Sequence, residues 1–95
     1  MNNKVEQENV TSGDGFKVRI FDLDKGLTEY EHIKIVRIIS KDYNLLIMED
    51  YLPIIGEIDG SIDIKGDDLD ISFPKISAFY MNSSNVFNLM IKEVD

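Results

Sequence analysis

The sequence predicts an all-β domain, and three observations carry that expectation. From Phe16 onward, short runs of β-branched and aromatic residues are cut at near-regular intervals by Gly, Asp, Asn and Pro. Apolar residues alternate with polar ones in several of these runs, the two-residue period of a half-buried strand. No stretch shows a convincing helical period. The expected architecture is a flattened β-sandwich or barrel of about 8–10 short, mostly antiparallel strands.

Residues 1–15 are polar and close on Thr11-Ser12-Gly13-Asp14-Gly15, a composition expected of a disordered leader. The domain is expected to span 16–95. Phe16-Lys17-Val18-Arg19-Ile20 alternates cleanly and opens it. Asp22 to Gly26 reads as a turn, with Gly26 free to take a positive φ, and Leu27 to Tyr30 as a returning strand. Ile33 to Ile39 holds five β-branched residues in seven, which fit a pleated surface better than a helix. Its apolar parity changes between Ile35 and Val36, which predicts a bulge there.

Leu45 to Met48 is apolar throughout, as a strand covered on both faces would be. Glu49-Asp50-Tyr51-Leu52-Pro53 must be irregular, because Pro53 lacks a ladder donor and restrains Leu52. Asp59-Gly60 is a hairpin signal. Ile62 and Ile64, then Leu69, Ile71 and Phe73, flank a second turn at Lys65 to Asp68. Ile76 to Met81 and Val86 to Lys92 are the last strands, joined by a turn at Asn82-Ser83-Ser84-Asn85. Among the nine aromatics, Phe16, Phe73, Phe79 and Phe87 fit core positions, while Tyr43 and Tyr51 fall in turns.

The 95 residues include no cysteine, so disulfides, thiolate metal sites and a Cys nucleophile are excluded. The N-terminal segment has no apolar signal core, and no apolar run approaches the length of a membrane span. A soluble, cytoplasmic protein is expected. The net charge of −8 is concentrated in residues 49–70, with eight acids against one base, whereas 17–41 hold six bases and four acids. Nucleic acid and anionic membrane are disfavoured as partners, since both are bound through Lys and Arg.

Candidate chemistry is sparse. Counting from Asp22, an EF-hand loop would need ligands at Gly26 and Ile33 and Gly at Leu27, so the pattern fails. Asp63, Asp67, Asp68 and Asp70 form a denser acidic knot, a weak candidate for calcium, although charge at a strand edge also discourages aggregation. His32 is the only histidine, and its neighbour Glu31 points to the opposite face of a strand. No nucleophile elbow, phosphate loop or dinucleotide fingerprint is present. No enzyme activity and no cofactor are therefore expected. Tyr43, Tyr51, Leu52 and Pro53 form the one region where apolar surface reaches solvent without structural need, which favours a protein contact.

Laid end to end, Phe16 to Lys92 resembles the N-terminal β-sandwich domain of the F-type ATP synthase epsilon subunit. Phe16-Lys17-Val18-Arg19-Ile20 resembles its opening strand and Asp24-Lys25-Gly26 its first turn. Leu46 to Ile55 is similar to the family's Gly-Ile-Leu-Pro-Gly-His-Ala-Pro-Leu-Leu segment, and Gly60-Ser61-Ile62-Asp63-Ile64 to the Gly-x-Val-x-Ile that follows. Phe79 to Leu89 matches the closing pair of strands in spacing. The family's Pro-Gly-His is here Glu49-Asp50-Tyr51, its Gly-Gly is Ser77-Ala78, and its C-terminal helical hairpin has no counterpart. The resemblance implies a free-standing, diverged interaction module whose partners are rotary-stalk subunits. By similarity its contact residues would be Glu49, Asp50, Tyr51, Leu52 and Pro53, with Tyr43 beside them. The alternative is an oligomeric accessory protein unrelated to the synthase, its final strand pairing with another copy.

Overall fold

The structure is a computed structural model and describes residues 14–95; most of the expected leader lies outside the described residues. The described residues form six strands: β1 (Phe16–Asp22), β2 (Gly26–Ser40), β3 (Asn44–Ile47), β4 (Ile54–Gly66), β5 (Asp70–Ser83) and β6 (Val86–Val94). Among the described residues there is no helix, hence none long and apolar enough to cross a membrane.

The strands form one sheet in the order β1-β6-β5-β4-β2-β3, and β1 also pairs with β2. That extra pairing closes β1, β2, β4, β5 and β6 into a barrel, with β3 added alongside the second half of β2. Every pairing is antiparallel except β1 with β6, which run parallel from Lys17↔Val86 to Phe21↔Met90. An up-and-down barrel with an odd number of strands must contain one such parallel seam. Closure leaves few unpaired edges to seed association.

The short runs of the sequence are joined into longer, bent strands. Asp59-Gly60 does not turn the chain: Gly60 lies within β4, where a Cβ would collide with the Ile39 carbonyl of the neighbouring strand. Glycine here serves close backbone approach rather than reversal. Opposite it, β5 shifts register between Ile76 and Phe73, which accommodates Pro74, a residue unable to donate to a regular ladder. β2 carries two irregularities, one at Glu31–His32 and one between Ile33 and Ile35, the second just before the expected position. His32 has φ 60° where the register shifts against β1, and the shift against β4 leaves Lys34 as the extra residue. Histidine tolerates the left-handed region better than the isoleucines around it.

The interior is aliphatic, with Val18, Ile33, Val36, Ile38, Ile47, Ile58, Ile62, Ile64, Phe87 and Leu89 fully buried. The Ile62–Phe73 and Ile64–Ile71 pairs of the second hairpin are as expected. Phe79 is not a core residue. In β5 the buried face is Ile76, Ala78, Tyr80 and Asn82, so alternation turns Phe79 outward, where it is 45% exposed. Likewise β3 is an edge strand, with only Ile47 buried and Leu46 open, as is Met48 just beyond it. The Asn82–Asn85 turn narrows to Ser84-Asn85, both at positive φ (52° and 62°), the two-residue geometry that matches strand twist.

Candidate functional site

The segment Met48–Pro53 joins β3 to β4 beside the β5–β6 turn, and side chains fix its backbone. Asp50 takes φ 65°. Its amide donates to Asn85 Oδ1 at 2.7 Å, and Asn85 Nδ2 returns a bond to Asp50 Oδ1 at 3.0 Å. Gly15 N donates to Glu49 Oε1 at 3.3 Å, tying the loop to the start of β1. Asn82 Nδ2 reaches the Leu52 carbonyl at 3.4 Å, and the Tyr51 amide donates to the Met48 carbonyl at 3.2 Å. A loop held at so many points presents its surface in one preformed shape.

Beneath it the tyrosines cooperate. Tyr80 is 2% exposed and stacks on Phe87 with ring centroids 5.6 Å apart. Tyr43 Oη donates to the Glu57 carbonyl at 2.6 Å and lies 3.1 Å from Tyr80 Oη. A hydroxyl has one proton, so with Tyr43 committed to the carbonyl, Tyr80 is the donor between the two phenols. Burial, then the hydrogen bond to Tyr43 and the nearby Tyr43 and Tyr51, push the Tyr80 phenol well above its ordinary value. Gly56 leaves room for this ring, since a Cβ there would press on the Tyr80 hydroxyl.

The expected contact residues therefore fall into two groups. Leu52 is 75% exposed, and Pro53 and Asp50 are also open to solvent. Glu49 is half-buried and faces Gly15. Tyr51 is not an exposed turn residue: it packs against the core cluster, because the loop folds back over the barrel end. Tyr43 keeps an exposed ring edge but aims its hydroxyl inward.

Two residues that sequence reasoning left out complete the surface. Ile55, 75% exposed, pairs across the ladder with the outward Met81. Together with Pro53 and Ile54 they border a shallow groove of about 300 Å³. The parity of β4 and β5, counted from Ile58 and Ala78, was the signal that could have found them. Asn82, read as a turn residue, is instead buried in β5, and its Oδ1 has no hydrogen-bond partner.

The other candidates lie elsewhere. Asp22 Oδ1 accepts the Asp24 amide at 2.8 Å and Gly26 has φ 79°, the hairpin turn expected. Asp63 accepts the Ser72 hydroxyl, while Asp67 and Asp68 sit in the β4–β5 turn closed by the Gly66 amide on the Leu69 carbonyl. Among the described residues, no group of three or more His, Asp or Glu is placed to hold a metal ion. His32 is exposed, with Nδ1 3.2 Å from the Asp14 carbonyl. In comparisons with known proteins, no protein-family model matches the chain and no curated protein matches its sequence.

Proposed function

We propose that this chain is a non-catalytic protein-interaction module that docks through the Glu49–Pro53 loop and the adjoining Ile55 and Met81. The observation that carries the reading is the pairing of a fixed backbone with two aliphatic side chains, Leu52 and Ile55, each three-quarters exposed. Exposed apolar surface at a rigid position favours a partner, because little ordering entropy is lost on binding. The exposed acid Asp50 within the loop suits a partner with basic residues at the rim.

The narrower form of the proposal is that the partner is a rotary-stalk subunit, as the resemblance to the epsilon domain implies. Affinity capture of interacting proteins, comparing the native chain with Leu52→Asp and Ile55→Asp, tests the broader form. A partner lost in both variants, whose folds are intact by circular dichroism, supports it. Equal recovery by the variants, or no partner at all, refutes it. Recovery of proteins other than stalk subunits removes the narrower form alone.

A further inference from the structure

A second apolar surface is centred on the β1–β2 turn, at the far end of β1 from the Glu49–Pro53 loop. Its margin at Phe79 adjoins Met81 on the outer face of β5. Leu23 stands at the tip of that turn and is 96% exposed. The Asp24–Asp22 bond and the positive φ of Gly26 hold the turn in shape, so Leu23 projects from a defined position. Beside it runs a groove of about 430 Å³ bordered by Phe21, Leu27, Met90 and Ile91. The ladder pairs Phe21 with both Leu27 and Met90, and Met90 with Phe79, so their exposed faces form one band across four strands.

Knob and groove thus belong to the same patch. We infer that this patch is the interface between two copies of the chain, related by a two-fold axis that seats each Leu23 in the other's groove. An isologous contact requires such self-complementarity. The exposed parts of Phe21, Leu23, Leu27, Phe79 and Met90 amount to on the order of 500 Å² per copy, so the pair would bury roughly 1,000 Å², the lower bound for specific association.

Electrostatics favour a second copy over a charged partner at this patch. Arg19 lies 5.3 Å above the Phe21 ring and is neutralised by Glu29 at 2.9 Å. Lys92 lies 4.3 Å above Phe79 and is neutralised by Glu57 at 2.6 Å. The acid excess of the chain lies mainly in residues 49–70, whereas the turn itself offers only Asp22, Asp24 and Lys25. Two copies meet here without confronting their main negative regions.

Sedimentation equilibrium of the full chain, from roughly 1 μM to 1 mM, tests the inference. The expected result is a reversible monomer–dimer equilibrium that strengthens with added salt, which screens the repulsion between two chains of net charge −8. Leu23→Asp and Leu23→Lys, which change the charge in opposite directions, should each weaken it at least tenfold with unchanged circular dichroism. Leu52→Asp should leave it intact, which separates this interface from the loop surface. A strict monomer at all concentrations and salts overturns the inference, as does self-association equal in the Leu23 variants or lost in Leu52→Asp alone.

Discussion

The two ends of the barrel expose apolar side chains on backbones held in different ways. At the Met48–Pro53 end, side chains from β5 and the β5–β6 turn bind the loop backbone, the Gly15 amide holds the Glu49 side chain, and the Tyr43 phenol bridges the β4 backbone and Tyr80. At the β1–β2 end, the turn is fixed locally, by Asp22 on its own second neighbour and by one glycine. The first arrangement makes loop shape depend on the whole fold. The second makes it nearly autonomous, so a substitution there changes surface without changing stability.

Substitutions at matched chemistry sharpen that contrast, beginning with the interior as reference. Phe87→Ala, fully buried, should destabilise by about 3–5 kcal/mol in urea denaturation. Phe79→Ala, on the outer wall, should cost less than about 1 kcal/mol. Equal losses would mean that β5 presents the wrong face. Asn85→Gly, which suits the φ of 62°, removes both side-chain bonds to Asp50 and should cost about 1–2 kcal/mol. It should also speed amide exchange at Asp50, whereas Leu23→Ser should stay within about 0.5 kcal/mol of the parent. If the two substitutions cost the same, the ends do not differ.

The third prediction concerns pH. Tyr80 has its phenol raised above the ordinary value of 10.0 by burial and by its bond to Tyr43. Above that pH the unfolded chain releases this proton while the folded chain retains it. The stability that Tyr80 contributes is therefore complete below pH 10.0 and declines as the solution becomes more alkaline. Denaturation midpoints measured from neutral pH to about pH 11 should fall more steeply for the native chain than for Tyr80→Phe. The smallest effect is expected at Ser84, whose φ of 52° strains a residue with a Cβ. Ser84→Gly relieves about 1–2 kcal/mol of strain against about 0.5–1 kcal/mol of added chain entropy, for a gain of roughly 0.5 kcal/mol.

Much of the fold was legible in the sequence because burial imposes a two-residue period. Phe16, Val18 and Ile20, or Ile62 and Ile64 against Ile71 and Phe73, could be placed from alternation alone. Residue type misleads where it outweighs parity: aromaticity favours an inward Phe79, and composition favours a turn at Asp59-Gly60, yet neither holds in the barrel. Whether a glycine reverses the chain or admits a neighbouring strand depends on that neighbour, and Ile39 is about twenty residues away. The Glu49–Pro53 loop was recognisable from Pro53. Its anchors were not, because Asn82, Asn85 and Gly15 meet it only after the barrel closes, and Tyr51 turns inward for the same reason.

The parallel seam between β1 and β6 has a consequence for how the molecule is made. Two strands some seventy residues apart in the chain are direct neighbours in the folded barrel. Until Val86–Met90 docks, the outer margin of Lys17–Phe21 and that of β5 remain without their final mates. Sealing the barrel is thus a long-range step of the kind that lowers folding rates, and the open margins stay prone to association until it occurs.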